Sequence, residues 1–233
     1  MQNTSQRTKV IIPALNEEAS IGLVLDALPR NLIQEVVVVD NGSSDQTTTV
    51  AASKDATVLR EDRRGYGAAC LKGLHYISNQ SPLPDIIVFL DADFSDNPNE
   101  LPLILTPILN NEADLVIGSR VTGKAEKGSL MPQQRFGNAL ATFLIRLIYG
   151  VRYTDLGPFR AIRFSALQAL NMQDRNFGWT VEMQIKAAAV GLRITEVPVS
   201  YKRRIGQSKV SGTIRGSVMA GYKIIATIFR YAF

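Results

Sequence analysis

Two aspartates separated by one residue follow a run of apolar, strand-forming residues in the segment DIIVFLDADFSDNP, residues 85–98. Side chains alternate between faces along an extended chain, so Asp91 and Asp93 are predicted to point the same way from one strand end. Two like charges in a small volume need a cation, hydrogen-bond donors or water to offset their repulsion. Mg²⁺ takes few protein oxygens and completes its shell with waters and substrate phosphates. The pair therefore suits a divalent cation, with a solvated turn as the alternative.

The elements that must position this pair are predicted from five apolar, β-branched runs separated by segments of helical periodicity. The runs are KVIIPA, EVVVVD, ATVLRE, DIIVFLD and DLVIGSR. Their alternation with helices predicts an α/β fold with a mainly parallel central sheet and helices on both faces. In such sheets, ligands bind beyond the carboxyl ends of the strands. Polar residues follow four of these strands, and we expect them to share one crevice: Asn16 and Glu17, Asp40 and Asp45, Asp91 and Asp93, and Ser119 and Arg120.

Composition narrows the class of protein. With 233 residues, 45% of them hydrophobic, the chain fits a single domain, 1–233. The single cysteine, Cys70, and the single histidine, His75, exclude an internal disulfide and a zinc site built from His and Cys. The polar N-terminus lacks the apolar core of a signal peptide, which predicts a cytoplasmic protein. A net charge of +5 favours an anionic partner, and the basic segment 201–209 lacks the interleaved aromatic residues typical of nucleic-acid binding.

The second half of the chain has a looser pattern. Residues 122–134 are predicted to form a long functional loop, and Pro198 places the last strand at a sheet edge. The closing segment, 213–233, is predicted to form a helix with basic residues on one side. It has no apolar run of the length that a membrane span needs. Segments 139–149 and 213–233 are therefore expected to lie in the membrane interface or to pack on the core. For segment 139–149, packing on the core is at least an equal alternative.

Seven motifs, in this order, resemble those of the family 2 glycosyltransferases, and within them the dolichyl- and polyprenyl-phosphate mannosyl- and glucosyltransferases. The motifs are IPALNEE, VVVVDNGSSDQT, RRGYGAA, FLDADFSDNP, VIGSR, DLGPFRA and RRIGQSKVS. The resemblance implies a GT-A fold, a Rossmann-like nucleotide-binding domain. It implies an inverting transfer of a hexose from a nucleoside-diphosphate sugar to a polyprenyl or dolichyl phosphate, with Mg²⁺ or Mn²⁺. The donor and metal half would span about 7–120 and the acceptor half about 121–233, with peripheral contact at the inner face of the cell membrane.

The resemblance also assigns roles to residues. Asp91 and Asp93 would hold the metal, which stabilises the departing diphosphate. Arg120 and Arg135 would hold the acceptor phosphate, because guanidinium groups engage phosphate oxygens bidentately. The donor nucleotide would contact Pro13, Asn16, Glu17, Asp40, Asp45, Arg64, Gly65, Arg204, Ser208 and Lys209. For Asp45, a helix-start role is an equal alternative, and the two glycines of RRGYGAA are interpreted as allowing close approach of a ligand.

The acceptor decides whether the enzyme needs a catalytic base. A phosphate acceptor is already ionised near neutral pH, whereas a hydroxyl acceptor on a saccharide or glycolipid must lose a proton. Glu182 and Asp155 are the candidate bases, and Glu182 is also placed to pair with Lys186 on a helix surface. A phosphohydrolase with a nucleophilic aspartate and a non-catalytic nucleotide-sugar-binding module are competing functions. In the lipid-phosphate branch a Gln often stands where this chain has Ser95, which leaves a third metal ligand open.

Overall fold

The computed structural model describes residues 6–206 and 214–231, so Ser208 and Lys209 lie outside the described residues. Its centre is one seven-stranded sheet. The strands are β1 Thr8–Ala14, β2 Glu35–Asp40, β3 Thr57–Arg60, β4 Ile86–Phe89, β5 Leu115–Ser119, β6 Arg160–Arg163 and β7 Ile194–Pro198. The helices are α1 Ile21–Ala27, α2 Thr47–Ala52, α3 Tyr66–Ser78, α4 Leu101–Leu109, α5 Pro132–Tyr149, α6 Phe164–Leu170, α7 Trp179–Ala189 and α8 Ile214–Arg230.

The strand order is β3-β2-β1-β4-β6-β5-β7, and every neighbouring pair is parallel except the two that involve β6. The mainly parallel sheet predicted from the sequence is therefore confirmed, and β7, which ends at Pro198, is an edge strand as expected. β6 was not predicted, because its four residues RAIR carry no strand pattern of their own. Its insertion between β4 and β5 joins both halves of the chain in one sheet. The division of the chain into a donor half and an acceptor half stays a prediction.

The core has one apolar layer on each face of the sheet. Side chains alternate along β1, so Ile11 packs in the layer that includes residues of α3, α5, α6 and α7. Val10 and Ile12 pack in the opposite layer with residues of α1 and α4. Cys70 is buried in the first layer and His75 is exposed. Burial of both faces explains why these strands read as continuous apolar runs.

Helices α5 and α8 pack against each other at the carboxyl half of the chain, where the Tyr149 hydroxyl donates to the Ile228 carbonyl over 2.7 Å. The inward side of α5 is buried at Ala141, Thr142 and Ile145. Within the described residues, no helix combines the length and apolar character that crossing a membrane requires.

Candidate active site

A crevice of about 820 Å³ opens at the carboxyl ends of the parallel strands. Residues at or just after the ends of four strands line it: Pro13, Ala14 and Glu17 from β1, Asn41 from β2, Asp91 and Asp93 from β4, and Arg120 from β5. The structure therefore brings four strand ends to one crevice as predicted, although of the eight residues named for it only Glu17, Asp91, Asp93 and Arg120 line the crevice. The physical reason is that parallel strands present the same end to one edge of the sheet.

The two aspartates reach the crevice from a turn and not from the strand itself. β4 ends at Phe89, and residues 92 and 93 are in a turn, so the predicted strand alternation does not place the pair. Phe94 has φ 59°, a left-handed conformation that is uncommon for a bulky residue. This bend directs the backbone N–H of Ser95 at Asp93 Oδ1, 2.9 Å away. The turn therefore orients one carboxylate while both line the crevice.

Asp91 is the member of the pair whose charged form is destabilised by its surroundings. Its Oδ1 is buried and has no hydrogen-bond partner among the described residues. Burial, followed by the neighbouring charge of Asp93, raises the pKa of Asp91 to about 6, although Arg204 opposes both effects. A carboxylate in this setting favours any ligand that brings positive charge.

Asp93 is held by donors from two segments. Its Oδ1 accepts from the Ser95 hydroxyl over 2.5 Å, and its Oδ2 contacts Nη2 of Arg204. The chain that carries Arg204 crosses the acidic turn, since Ile205 N donates to the Asp93 carbonyl over 3.0 Å. Ser95 thus positions Asp93, and Arg204, predicted to contact the donor nucleotide, lies beside the same carboxylate. Arg203 instead donates to the Lys127 carbonyl and faces the 126–128 loop.

The residues fit a divalent cation held by Asp91 and Asp93. The unpartnered Asp91 Oδ1 supplies an oxygen ligand, and two carboxylates leave room for phosphate oxygens and waters, the arrangement that Mg²⁺ favours. No cluster of three or more His, Cys, Asp or Glu suited to a metal occurs within residues 6–206 and 214–231. The third ligand that Ser95 leaves open is therefore not supplied by another carboxylate in the described part of the chain.

Asp96 is an acidic residue that sequence reasoning missed. It is only 3% exposed, and neither carboxylate oxygen has a partner among the described residues. Burial, followed by the charge of Asp91, raises its pKa well above the ordinary value. Asp96 does not line the crevice, and its raised pKa favours the neutral carboxylic acid, so it adds little negative charge to the pair. Its position three residues after Asp93, in the same motif, was the available signal.

The residues predicted for the nucleotide divide into two groups. Pro13, Glu17, Arg64, Gly65 and Arg204 line the crevice. They therefore share one crevice, and their contact with a nucleotide stays a prediction.

Asn16, Asp40 and Asp45 do not line the crevice, and their side chains bind local backbone. Asn16 Oδ1 accepts from Ser44 N over 2.8 Å, and Asp40 Oδ1 accepts from Ser43 N over 3.0 Å. Asp45 Oδ1 accepts from the backbone N–H of Thr47, where α2 begins, over 3.0 Å. Burial opposes ionisation of Asp45, but the hydrogen bonds from Thr47 lower its pKa overall. The geometry therefore favours the helix-start interpretation of Asp45.

The glycines of RRGYGAA serve chain packing. A Cβ on Gly65 would lie 2.1 Å from the Arg175 carbonyl oxygen, and one on Gly67 would lie 2.1 Å from that of Asp174. Both glycines thus admit the 174–175 backbone, and Gly65 also lines the crevice, so close approach of a ligand at Gly65 stays a prediction. Asn41, which sequence reasoning missed, holds the same turn by accepting from Gly65 N over 2.7 Å.

Arg120 is fixed by a buried ion pair. Its Nε and Nη2 donate to the two carboxylate oxygens of Asp155 over 2.8 and 2.7 Å, and its guanidinium lies 5.0 Å from the centroid of the Tyr201 ring. Burial works against the charge, but Asp155 raises the pKa of Arg120 above its ordinary value. Asp155, 1% exposed, is in turn held by Glu196, which accepts from its backbone N–H over 3.1 Å. Both carboxylate oxygens of Asp155 therefore orient Arg120, which contradicts the prediction of Asp155 as a free catalytic base.

A second cavity of about 580 Å³ meets the first at Arg120. It lies between α5 and the 152–155 segment, and the two cavities share Arg120, Gln134 and Asn138. Arg135, predicted to hold the acceptor phosphate, lines this second cavity. Arg146 and Arg152 line it too, and neither was singled out from the sequence. We call this space the arginine cavity.

Glu182 has a structural environment instead of a catalytic one. It is fully buried and does not line either cavity. Its carboxylate accepts from Gln173 N over 2.9 Å and from the Tyr231 hydroxyl over 2.7 Å, and pairs with Lys186 Nζ at 2.7 Å. These donors join α7, Tyr231 just after α8, and the 173–174 segment. The geometry thus opposes a role for Glu182 as the base and supports the pairing with Lys186, although the carboxylate is buried and does not lie on the helix surface.

Comparison with known proteins identifies the family of the chain. The model of glycosyl transferase family 2 matches residues 9–170. An uncharacterised glycosyltransferase of Mycobacterium tuberculosis is 38% identical over 213 residues, covering 91% of this chain and 93% of that protein. The undecaprenyl-phosphate mannosyltransferase of Micrococcus luteus is 32% identical over 228 residues, 91% of each chain. A dolichyl-phosphate hexose transferase of Haloferax volcanii is 31% identical over 214 residues, 90% of this chain and 89% of that protein.

Among solved structures, the chain is similar to glucosyl-3-phosphoglycerate synthase from M. tuberculosis in complex with Mn²⁺, uridine diphosphate and glucosyl-3-phosphoglycerate. The TM-score is 0.77 at 23% identity, covering 97% of this chain and 80% of that one. This likeness shows the fold, and the expected GT-A fold is confirmed. Because the family model matches more than half of the chain, which also has the strand-end crevice and the acidic turn, the chain belongs to glycosyl transferase family 2.

Proposed function

We propose that this glycosyltransferase moves a hexose from a nucleoside-diphosphate sugar to a polyprenyl or dolichyl phosphate, with inversion at the anomeric carbon. The observation that carries the proposal is the meeting of the two cavities at Arg120. One cavity is acidic at Asp91 and Asp93, and the other is lined by arginines. A donor diphosphate with its cation suits the first, and an anionic acceptor suits the second. Relatives named as undecaprenyl- and dolichyl-phosphate transferases support the same acceptor class.

In this proposal the chain positions two anions for an in-line displacement. Arg120 keeps Nη1 for the acceptor, because Asp155 takes its Nε and Nη2, and Arg135 supplies a second guanidinium from α5. An oxygen of the acceptor phosphate attacks the anomeric carbon as the bond from that carbon to the nucleoside diphosphate breaks. Asp91 and Asp93 would hold Mg²⁺ or Mn²⁺, which, when bound, offsets the charge of the departing diphosphate. Arg204, beside Asp93, contributes positive charge from the protein.

No catalytic base is required by this scheme, because the acceptor phosphate is already ionised. The structure is consistent with a reaction that uses no catalytic base, because Asp155 is paired with Arg120 and Glu182 is buried away from the cavities. A hydroxyl acceptor would need a base, and the two candidates from the sequence are both engaged elsewhere.

Membrane contact follows from the same proposal. Phe136, Phe143 and Leu147 are 71%, 61% and 70% exposed on one side of α5. On the neighbouring α8, Tyr222 is 74% exposed and Phe229 46%. Exposed aromatic residues on paired amphipathic helices suit the interface of a bilayer, where a lipid acceptor has its phosphate. The inner face of the cell membrane stays a prediction.

The test is release of nucleoside diphosphate from purified protein mixed with Mn²⁺, UDP- or GDP-sugars and a short-chain polyprenyl phosphate. We expect release that depends on the lipid phosphate, and an Arg135→Gln variant with a raised acceptor KM and little change in donor KM. Lys72→Gln, a charge removed from α3 outside both cavities, is the matched control. Release only with a saccharide or glycolipid hydroxyl acceptor would overturn the lipid-phosphate assignment, and nucleotide-sugar binding without turnover would indicate a binding module.

A further inference from the structure

We propose that Arg146 and Arg152 form a second anion subsite, distinct from the acceptor-phosphate position, which binds the headgroup of an anionic phospholipid. The inference deepens the proposed function, on which it rests, by naming a class of membrane partner. It follows from three features of the arginine cavity: its uncompensated charge within the described residues, the distance along α5, and its apolar border.

The charge of the arginine cavity is uncompensated. Arg135, Arg146 and Arg152 are exposed, and among residues 6–206 and 214–231 none of the three side chains has a hydrogen bond or an ion pair. The acidic residue that lines the cavity, Asp155, is already bound to Arg120. Glu196 lies behind it and accepts from the backbone of Thr154 and Asp155. Three cations without an acidic partner in this part of the chain create a field that attracts anions.

One phosphate monoester does not account for all these arginines. Arg135 and Arg146 are eleven residues apart in one helix, which places them on the same side with a rise of roughly 16 Å between them. A phosphate bound at Arg120 and Arg135 therefore occupies one end of the cavity. Arg146 lies in the last turn of α5, and Arg152 follows just beyond its end at Gly150. They are left to engage a second anion at the other end.

The border of the cavity indicates what carries that anion. Phe143 lines the cavity and is 61% exposed, and Leu147, one residue after Arg146, is 70% exposed. Apolar side chains beside unpaired arginines match the boundary between acyl chains and headgroups, and a soluble anion would make no use of them. Basic residues next to apolar side chains at a membrane surface recognise anionic lipids by this combination of charge and apolar contact. The subsite therefore favours a phosphodiester headgroup within a membrane.

Vesicle sedimentation tests the subsite. The full chain is mixed with vesicles of phosphatidylcholine alone or with phosphatidylglycerol added, all without polyprenyl phosphate. We expect the wild type to prefer the anionic vesicles and Arg146→Gln/Arg152→Gln to lose roughly 30-fold in partitioning to them, which is about 1 kcal/mol per arginine. Binding to neutral vesicles should be unchanged. Lys54→Gln/Lys72→Gln removes the same charge elsewhere and should keep most of the preference, so it separates a local site from net charge.

Equal losses in the two double variants, or no loss in the arginine variant, would overturn the subsite. Circular dichroism of each variant checks that it is folded, and Arg146→Lys/Arg152→Lys, which keeps the charge, should recover most of the binding. Failure of the proposed function gives a different result. In that case no nucleoside diphosphate is released with short-chain polyprenyl phosphate in detergent, whatever the vesicle preference.

Discussion

Replacing Asp91 by asparagine tests whether the acidic turn is held in the fold at an electrostatic cost. Burial and the charge of Asp93 raise the pKa of Asp91 from 3.8 to about 6. Each unit of displacement corresponds to about 1.4 kcal/mol, so ionised Asp91 destabilises the metal-free protein by about 3 kcal/mol above pH 6. Asn is nearly isosteric and neutral, and it removes this penalty. We therefore expect the variant to be more stable than the wild type at pH 8.

The pH dependence gives the sign of the effect. A carboxylate whose pKa is raised by folding binds more protons in the native state between pH 4 and 6, so its contribution to stability falls as pH rises through that window. The advantage of Asp91→Asn should thus be near zero at pH 4 and complete above pH 6. Urea unfolding in the presence of EDTA at both pH values measures it. Asp62→Asn is the control, because Asp62 is 83% exposed and its loss should change little.

Adding Mn²⁺ should reverse the order of stability. A ligand that binds only the native state stabilises it by about 4.1 kcal/mol at one thousand times its dissociation constant, which exceeds the variant's advantage of about 3 kcal/mol. The wild type should gain stability in Mn²⁺ at pH 8 and the Asn variant should gain little. The electrostatic reasoning is refuted if Asp91→Asn is no more stable than the wild type in EDTA at pH 8, or if its advantage is the same at pH 4.

Three further outcomes are expected. Gly65→Ala places a Cβ 2.1 Å from a carbonyl oxygen and should lower the free energy of unfolding, measured by thermal unfolding, by more than about 3 kcal/mol. The control is Gly137→Ala in α5, where a Cβ meets nothing within 4 Å. This control should be neutral or stabilising by up to about 1 kcal/mol in the same measurement. Glu182→Gln should lower stability by about 1–3 kcal/mol in urea unfolding with kcat of the folded fraction unchanged, and a kcat loss of a thousandfold at full stability would restore Glu182 as the base. Asp155→Asn should raise the acceptor KM by releasing Arg120, and a double-mutant cycle with Arg120→Lys should give a coupling of about 1–3 kcal/mol in kcat/KM. Additive effects would show that the ion pair does not orient the arginine.

The sequence by itself determined the mainly parallel sheet apart from β6, the location of the crevice and the family. Apolar runs bounded by turn residues are local signals, and the strand ends they define meet at one edge whenever the strands are parallel. Asp91, Asp93 and Arg120 could be found in this way, because each directly follows an apolar run or lies within one turn of it. The family motifs carried the same information, since most of them lie at those strand ends.

Only the tertiary structure decided how these residues are used. Arg120 meets Asp155 across 35 positions of sequence, and Glu182 meets Tyr231 across 49, so no local pattern distinguishes a base from a buried partner. The need for glycine at position 65 likewise arises from a backbone segment more than a hundred residues away. Such contacts depend on which distant segments the fold brings together, and the arginine cavity exists because α5 packs beside the 152–155 segment. The physical reason is that burial and charge compensation are properties of the assembled neighbourhood, whereas periodicity and turn chemistry are properties of the chain.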